Sequence, residues 1–240
     1  MLFAFGPKDS FYFYCNQKSL CYRTEKSFNS VVTQISIPHS VILGYGDTQF
    51  LAFYTDTNST IRIFIDAVHP SPSPLKRILD GILCDPNWAA QQWFFTLGVK
   101  NTCVLLQNGV QIAGTIELAS EIPKLEAIMR GDLRVKNAAL GFDHAWWVQF
   151  ENGDCAWDFG GNYPELDGLL RGNDFDNFAI DHLSLSRYHP NHYFLVYDGH
   201  NVHLSMYADQ AEKIKPMIED YRASRRTVNM TFVDVNDGEE

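Results

Sequence analysis

Positive charge is what this sequence has least of. Across 240 residues there are 19 Lys and Arg against 29 Asp and Glu, a formal net charge of −10. Nucleic-acid binding by phosphate neutralisation needs a basic face. The one basic cluster, Arg222, Arg225 and Arg226 with Lys213 and Lys215, sits near the end of a predicted helix, where cations favour the helix dipole. No nucleic-acid partner is expected, and the acidic balance reads as solubility. Cysteine is also sparse: five residues, an odd number, scattered at Cys15, Cys21, Cys84, Cys103 and Cys155 without a CxxC pair. No apolar run approaches the roughly 20 residues that span a bilayer, so no membrane partner is expected. Met1 to Ser10 has no basic segment of the kind that opens a secretory signal. Reduced thiols in a cytoplasmic protein are the expectation. Absent too are GxSxG, a phosphate-cradling glycine loop, HExxH and any Cys–His nucleophile pattern. Asp174-Phe-Asp176-Asn lacks the glycine and closing glutamate of a calcium loop. No cofactor is expected.

What the chain does have is aromatic side chains, 14% of all residues, with 17 Phe, 11 Tyr and 5 Trp. Such residues suit pleated, half-buried surfaces and lean the reading towards β structure. They are also periodic. A Leu-Gly pair or a close variant recurs at Phe5-Gly6, Leu43-Gly44, Leu97-Gly98, Leu140-Gly141 and, weakened, Leu185-Ser186, at intervals of 38, 54, 43 and 45 residues. After each marker comes a polar loop (PKDS, YGDT, VKNT, FDHA, RYHPNH), then an apolar run at 11–14, 50–54, 103–106, 146–150 and 193–197. Turn residues follow, among them Asn108-Gly109, Asn152-Gly153 and Asp198-Gly199, which are strong hairpin signals. Short helices are predicted from Pro74, Pro123 and Pro164, since proline favours the first helical turn, and a longer one over roughly Asp209 to Ala223. Leu166, Leu169 and Leu170 form one apolar stripe on the third of these.

The unit is therefore strand, hairpin, short helix, strand, in five degenerate copies at about 1–38, 39–92, 93–135, 136–180 and 181–226. Residues 227–240 are left as a closing strand and acidic tail, and the Pro/Ser-rich stretch 67–74 reads as an insertion in unit two. Units of this size cannot bury their apolar faces alone; placing them side by side does so, and closing the row removes exposed edges. The fold predicted is a single mainly β domain, a five-unit, small β-propeller-like ring with short helices between units; an open solenoid with capping ends is the alternative. Thr227 to Val235 is expected to complete the first sheet, near Met1 to Phe5 or Phe11 to Tyr14.

The segment ALGFDHAWWVQFENGDCAWDFGGNYPELDGLLRG, from Ala139 to Gly172, resembles units of fungal repeat proteins of the form LGxxxSYFVxFxDGxWxW followed by PxLxxLL. The resemblance implies a propeller-like fold and carries no activity and no site residues. Cys155 departs from it, standing where a tryptophan is usual.

Three functional readings follow. The leading one is a non-catalytic binding or interaction module, engaging a protein or small polar ligand through loops on one face, with Trp146, Trp147 and Trp157 as candidate ligand-binding residues. Adjacent residues on a strand face opposite sides, so at least one of Trp146 and Trp147 is expected in the core. The alternative is an enzyme with an acid–base site at the mouth of the ring, for which Asp143, His144, Asp47 and His189 are candidates because the same loop carries them in different units. The third is metal binding at a histidine-rich hairpin through His189, His192, His200 and His203. Against it, His203 aligns with the packing position Trp157, and no metal is expected.

Overall fold

The computed structural model of the chain describes residues 1–24, 26–43, 50–66, 88, 93–99, 102–108, 110–114, 116–172, 179–199, 201–225 and 230–234. They form a mainly β structure of five small sheets. The first sheet holds β1 (Leu2–Phe5), β2 (Phe11–Cys15) and β3 (Lys18–Tyr22); the second β4 (Ile35–Leu43), β5 (Phe50–Asp56) and β6 (Ile61–Asp66). The third holds β7 (Trp93–Leu97), β8 (Cys103–Gln107) and β9 (Val110–Gly114); the fourth β10 (Val135–Leu140), β11 (Trp146–Phe150) and β12 (Cys155–Asp158). The fifth has β13 (Ile180–Leu185), β14 (Tyr193–Tyr197), β15 (Asn201–Met206) and an added β16 (Met230–Asp234). Helices α1 (Lys26–Val32), α2 (Ile116–Glu121), α3 (Pro123–Met129), α4 (Pro164–Arg171) and α5 (Ala208–Arg225) follow sheets one, three, three, four and five. The helix expected from Pro74 and the stretch 67–74 lie outside the described residues. Because β4, β10 and β13 begin at Ile35, Val135 and Ile180, the expected unit starts at 39, 136 and 181 fall just inside these strands.

Each aromatic run is the central strand of its sheet, and the packing explains why such a run is apolar throughout rather than alternating. Phe11, Phe13 and Cys15 of β2 pack towards Phe194 and Val196 of the fifth sheet, while Tyr12 packs towards Val41 and Ala52 of the second. Trp146, Val148 and Phe150 meet Val104 and Leu106 of the third sheet, and Trp147 meets Leu183 and Leu195 of the fifth. Leu51 and Phe53 meet Trp93, Phe95 and Leu105. Successive side chains on a strand point to opposite faces, so a strand between two neighbours needs apolar residues at every position. The core is a set of five layers, one between each pair of consecutive sheets and one between the fifth and the first.

The first strands follow the same succession: β1 lies beside β4, β4 beside β7, β7 beside β10, β10 beside β13, and β13 beside β1. The recurrent Leu-Gly pair has its physical reason here. A Cβ on Gly6 would lie 2.8 Å from Cδ1 and 2.9 Å from Cβ of Leu43, one on Gly98 would lie 3.1 Å from Leu140 Cβ, and one on Gly141 would lie 3.1 Å from Leu185 Cβ. Each of these three glycines makes room for a hydroxyl, that of Ser10, Thr102 or Tyr163, and for the marker leucine of the next unit. Polar bonds add to these junctions: Ser40 Oγ donates to Phe95 O at 3.3 Å, Leu140 N donates to Thr96 Oγ1 at 3.3 Å, and Phe3 N donates to His182 Nε2 at 3.2 Å. The marker loops are also alike, with Gly6, Gly98 and Gly141 each donating through N–H to the carbonyl four residues on.

Gly6→Ala is accordingly expected to destabilise by about 2–3 kcal/mol through overpacking. Gly168→Ala is the contrasting change. It lies in the exposed interior of α4 with nothing within 4 Å of a Cβ, and relief of glycine's helix penalty should stabilise by about 1 kcal/mol. Urea melts of the two variants should move in opposite directions; equal shifts would remove the explanation given for the repeat.

The C-terminal strand corrects an expectation. β16 does not pair with the first sheet. It pairs in parallel with β15, Val202 opposite Met230 through Met206 opposite Asp234. The intervening α5, 18 residues long, brings the chain back to the start of β15, and a strand that follows such a crossover runs parallel to the one before it. Helix α5 also packs on β2 and β3, contributing Ile214, Ile218 and Tyr221 to the layer between the fifth and first sheets. Side-chain packing and the His182 contact, not strand pairing, join the last unit to the first.

Candidate functional site

The five first strands surround a cavity of about 320 Å³. Its lining is mixed: Ala4, Val41, Phe95 and Leu183 provide apolar surface, and Ser40, Thr96, Asn137, His182, Ser184 and Arg187 bring polar groups. These strands all run towards their marker loops, so one end of the cavity is formed by strand C-termini and loops and the other by strand starts. His182 at the junction of β13 and β1 is held far below the ordinary imidazole value, at about 4, by burial first and by the positive Met1 amine second. It stays neutral, which lets Nε2 accept from Phe3 N–H.

Arg187 occupies the loop end of the cavity and is 5% exposed. From the fifth unit its guanidinium reaches Leu43 O at 2.7 Å in the second, Gly98 O at 3.3 Å in the third, and the Tyr188 hydroxyl at 2.6 Å. Tyr188 itself donates to Leu43 O at 3.3 Å. The carbonyls are those of marker residues, so one planar, multi-donor side chain ties three units across the cavity end, a task a lysine ammonium cannot copy. Sequence reasoning missed Arg187. Its signal was present: RYHPNH is the longest marker loop and the one that opens with arginine. Ser186, which replaces the marker glycine there, accepts from the N–H groups of Tyr188 and His189 and so holds the longer loop.

The acid–base candidates do not converge. His189 pairs with Asp9 of the first unit (Nε2 to Oδ1, 2.8 Å), and its Nδ1 lies 3.3 Å from the Tyr207 hydroxyl. His144 pairs instead with Glu121 at 3.2 Å, and Asp143 is exposed. Asp143 and His144 both adopt left-handed backbone conformations, φ 46° and 64°, and this turn separates their side chains. Asp47 lies outside the described residues. With both ring nitrogens of His189 engaged, the Asp9–His189–Tyr207 chain bridges two loops and presents no ring nitrogen to a reacting group.

The tryptophans divide as strand geometry requires, and both of the adjacent pair are core: Trp146 is 4% exposed and Trp147 0%, in the layers on opposite faces of the fourth sheet. Trp157 is half-buried, donates through Nε1 to Asp167 at 2.8 Å, and lies under Arg171. The histidine hairpin is dispersed as well. His189 and His192 lie 5.1 Å apart, ring to ring, and both contact Tyr207. His203 stacks on Tyr193 and bonds its hydroxyl through Nδ1 at 2.9 Å. His200 lies outside the described residues. Among the described residues no three His, Cys, Asp or Glu side chains gather to hold a metal ion, and no helix is long and apolar enough to cross a membrane.

No protein-family model, curated protein or solved structure matches the chain.

Proposed function

We propose that the five sheets are the blades of a closed, propeller-like ring, and that the ring is a non-catalytic binding module holding a small polar ligand in its central cavity. The observation that carries this reading is the cavity itself, to which all five first strands contribute and at whose loop end Arg187 sits. Its volume is at the lower end of the range for small-molecule sites, and an apolar wall with a few convergent polar groups is their usual composition. The resemblance of residues 139–172 to fungal repeat units agrees with the ring. The engaged nitrogens of His189 favour binding over the acid–base alternative, and the burial of Trp146 and Trp147 moves the ligand from the sheet faces to the cavity.

The test is ligand-observed NMR with the full chain against monosaccharides, amino acids and small dicarboxylates, repeated with Ser184→Leu, which fills the cavity from β13. At least one class is expected to bind in the millimolar range or tighter, and the filled variant should lose that binding while melting like the parent. Silence from all three classes, or unchanged binding by a folded Ser184→Leu protein, overturns the reading.

A further inference from the structure

We infer that the outer edge of the fourth sheet is a peptide-docking site, taking an extended, apolar-rich segment of a partner protein, of the kind β16 supplies to β15, as a parallel fourth strand beside β12. The first support is a precedent inside the chain. β12 and β15 are the third strands of their units, Trp157 matching His203 when Asn152-Gly153 is aligned on Asp198-Gly199. On β15 the outer edge is covered by β16, a parallel strand of sequence Met-Thr-Phe-Val-Asp. On β12, among the described residues, strand pairing occurs on one side alone, with β11.

The second support is the shape of the surface there. An open groove of about 540 Å³ is lined by four consecutive residues of β12, Cys155 to Asp158. Alternate residues face opposite sides of a sheet, so a groove touching all four reaches the strand's edge, and Trp146 of β11 extends it onto the face that meets α3. Its flank is α3 of the preceding unit, through Lys124, Ala127 and Ile128. Among the other outer strands, β3 has α5 packed on it and β9 has α2 and α3, whereas β6, like β12, pairs on one side alone among the described residues.

Chemistry selects the occupant. An edge strand offers backbone N–H and C=O groups in a row, which an extended peptide satisfies while alternate side chains enter adjoining pockets. Ile128, Ala156 and Trp157 give that pocket apolar walls. Lys124 and Arg171 stand at its rim, paired with Asp158 and Asp167, so the rim is charge-balanced and the apolar walls and backbone edge select the segment.

The probe is a blocked, fluorescein-labelled peptide of residues 229–235, Asn-Met-Thr-Phe-Val-Asp-Val, titrated into the full chain by anisotropy. Saturable binding in the micromolar range is expected, with backbone amide exchange at Cys155–Asp158 slowed at least tenfold. Ala127→Trp fills the groove from an exposed helix position and should weaken binding at least tenfold at an unchanged Tm. A peptide with proline in place of its phenylalanine should not bind. The proposal is overturned by absence of binding to 1 mM, by protection at Asn201–Met206 instead of β12 (exchange with the chain's own strand), or by sedimentation showing that a second copy of the chain already covers the edge. None of these outcomes bears on ligand binding in the cavity.

Discussion

Arg187→Ala is expected to destabilise the protein by about 3–5 kcal/mol, because hydrogen bonds to a charged donor contribute about 1.5–3 kcal/mol each and the buried carbonyls they satisfy would be left without it. The loss should not be one of volume. Arg187→Met keeps most of the stem and removes the donors, so it should lose nearly as much as alanine. Arg187→Lys keeps the charge yet cannot span Leu43 O and Gly98 O together, and should recover less than half. Denaturant melts of the three variants decide the matter. A methionine variant as stable as the parent would mean that desolvating the guanidinium costs as much as its bonds return, and that the tie across three units is dispensable.

The second large effect is on acid stability. His182 and His192 are both held at about 4 by burial, His192 further lowered by neighbouring His189. Both groups take up protons more readily in the unfolded chain, where the imidazole has its ordinary value of 6.5. Their contribution to stability is therefore complete above pH 6.5, falls as pH drops through that value, and is fully lost near pH 4. At 1.36 kcal/mol per unit, each site accounts for about 3 kcal/mol over this window. His39 and His203, also lowered by burial, add to the slope in the same direction. The unfolding free energy measured at pH 7.5, 6, 5 and 4 should show that slope, and His182→Gln should flatten it by less than half. A parent protein equally stable at pH 7 and pH 4.5 would refute the burial of both rings. Asp56, held low chiefly by the N–H of Thr60, and Asp158, held low chiefly by Lys124, act below this window and leave it readable.

Much of the architecture was legible because one physical requirement repeats. A strand packed on both faces needs an unbroken apolar run, and a backbone that neighbouring side chains approach closely needs a glycine; FYFY, WWVQF and YFLVY met the first condition and Gly6, Gly98 and Gly141 the second. Pro123 and Pro164 marked helix starts for the same local reason. What escaped was non-local. The parallel course of β16 depends on how α5 lies on the first sheet, and α2, without a proline at its start, carried no signal of the kind that marked the helix after it. Arg187 read as one more polar loop residue, since its partners are 89 and 144 residues away. Of the acid–base candidates, His189 pairs with Asp9 of the first unit and His144 with Glu121 at the end of α2, contacts between distant or separate elements that the sequence does not display.

The contact between Phe3 and His182 spans 179 residues, and this separation bears on how the protein is made. At ribosomal rates of about 5–20 residues per second, β1 waits roughly 10–40 s before its neighbour on that side is synthesised. For that interval Phe3, Phe11 and Phe13 pack only on their own sheet, because Phe194, Val202 and Ile218, which finish their layer, are not yet made. An apolar face of the first sheet is thus covered only when the fifth unit follows, so the yield of folded protein in cells should depend more on holding chaperones than its equilibrium stability would suggest.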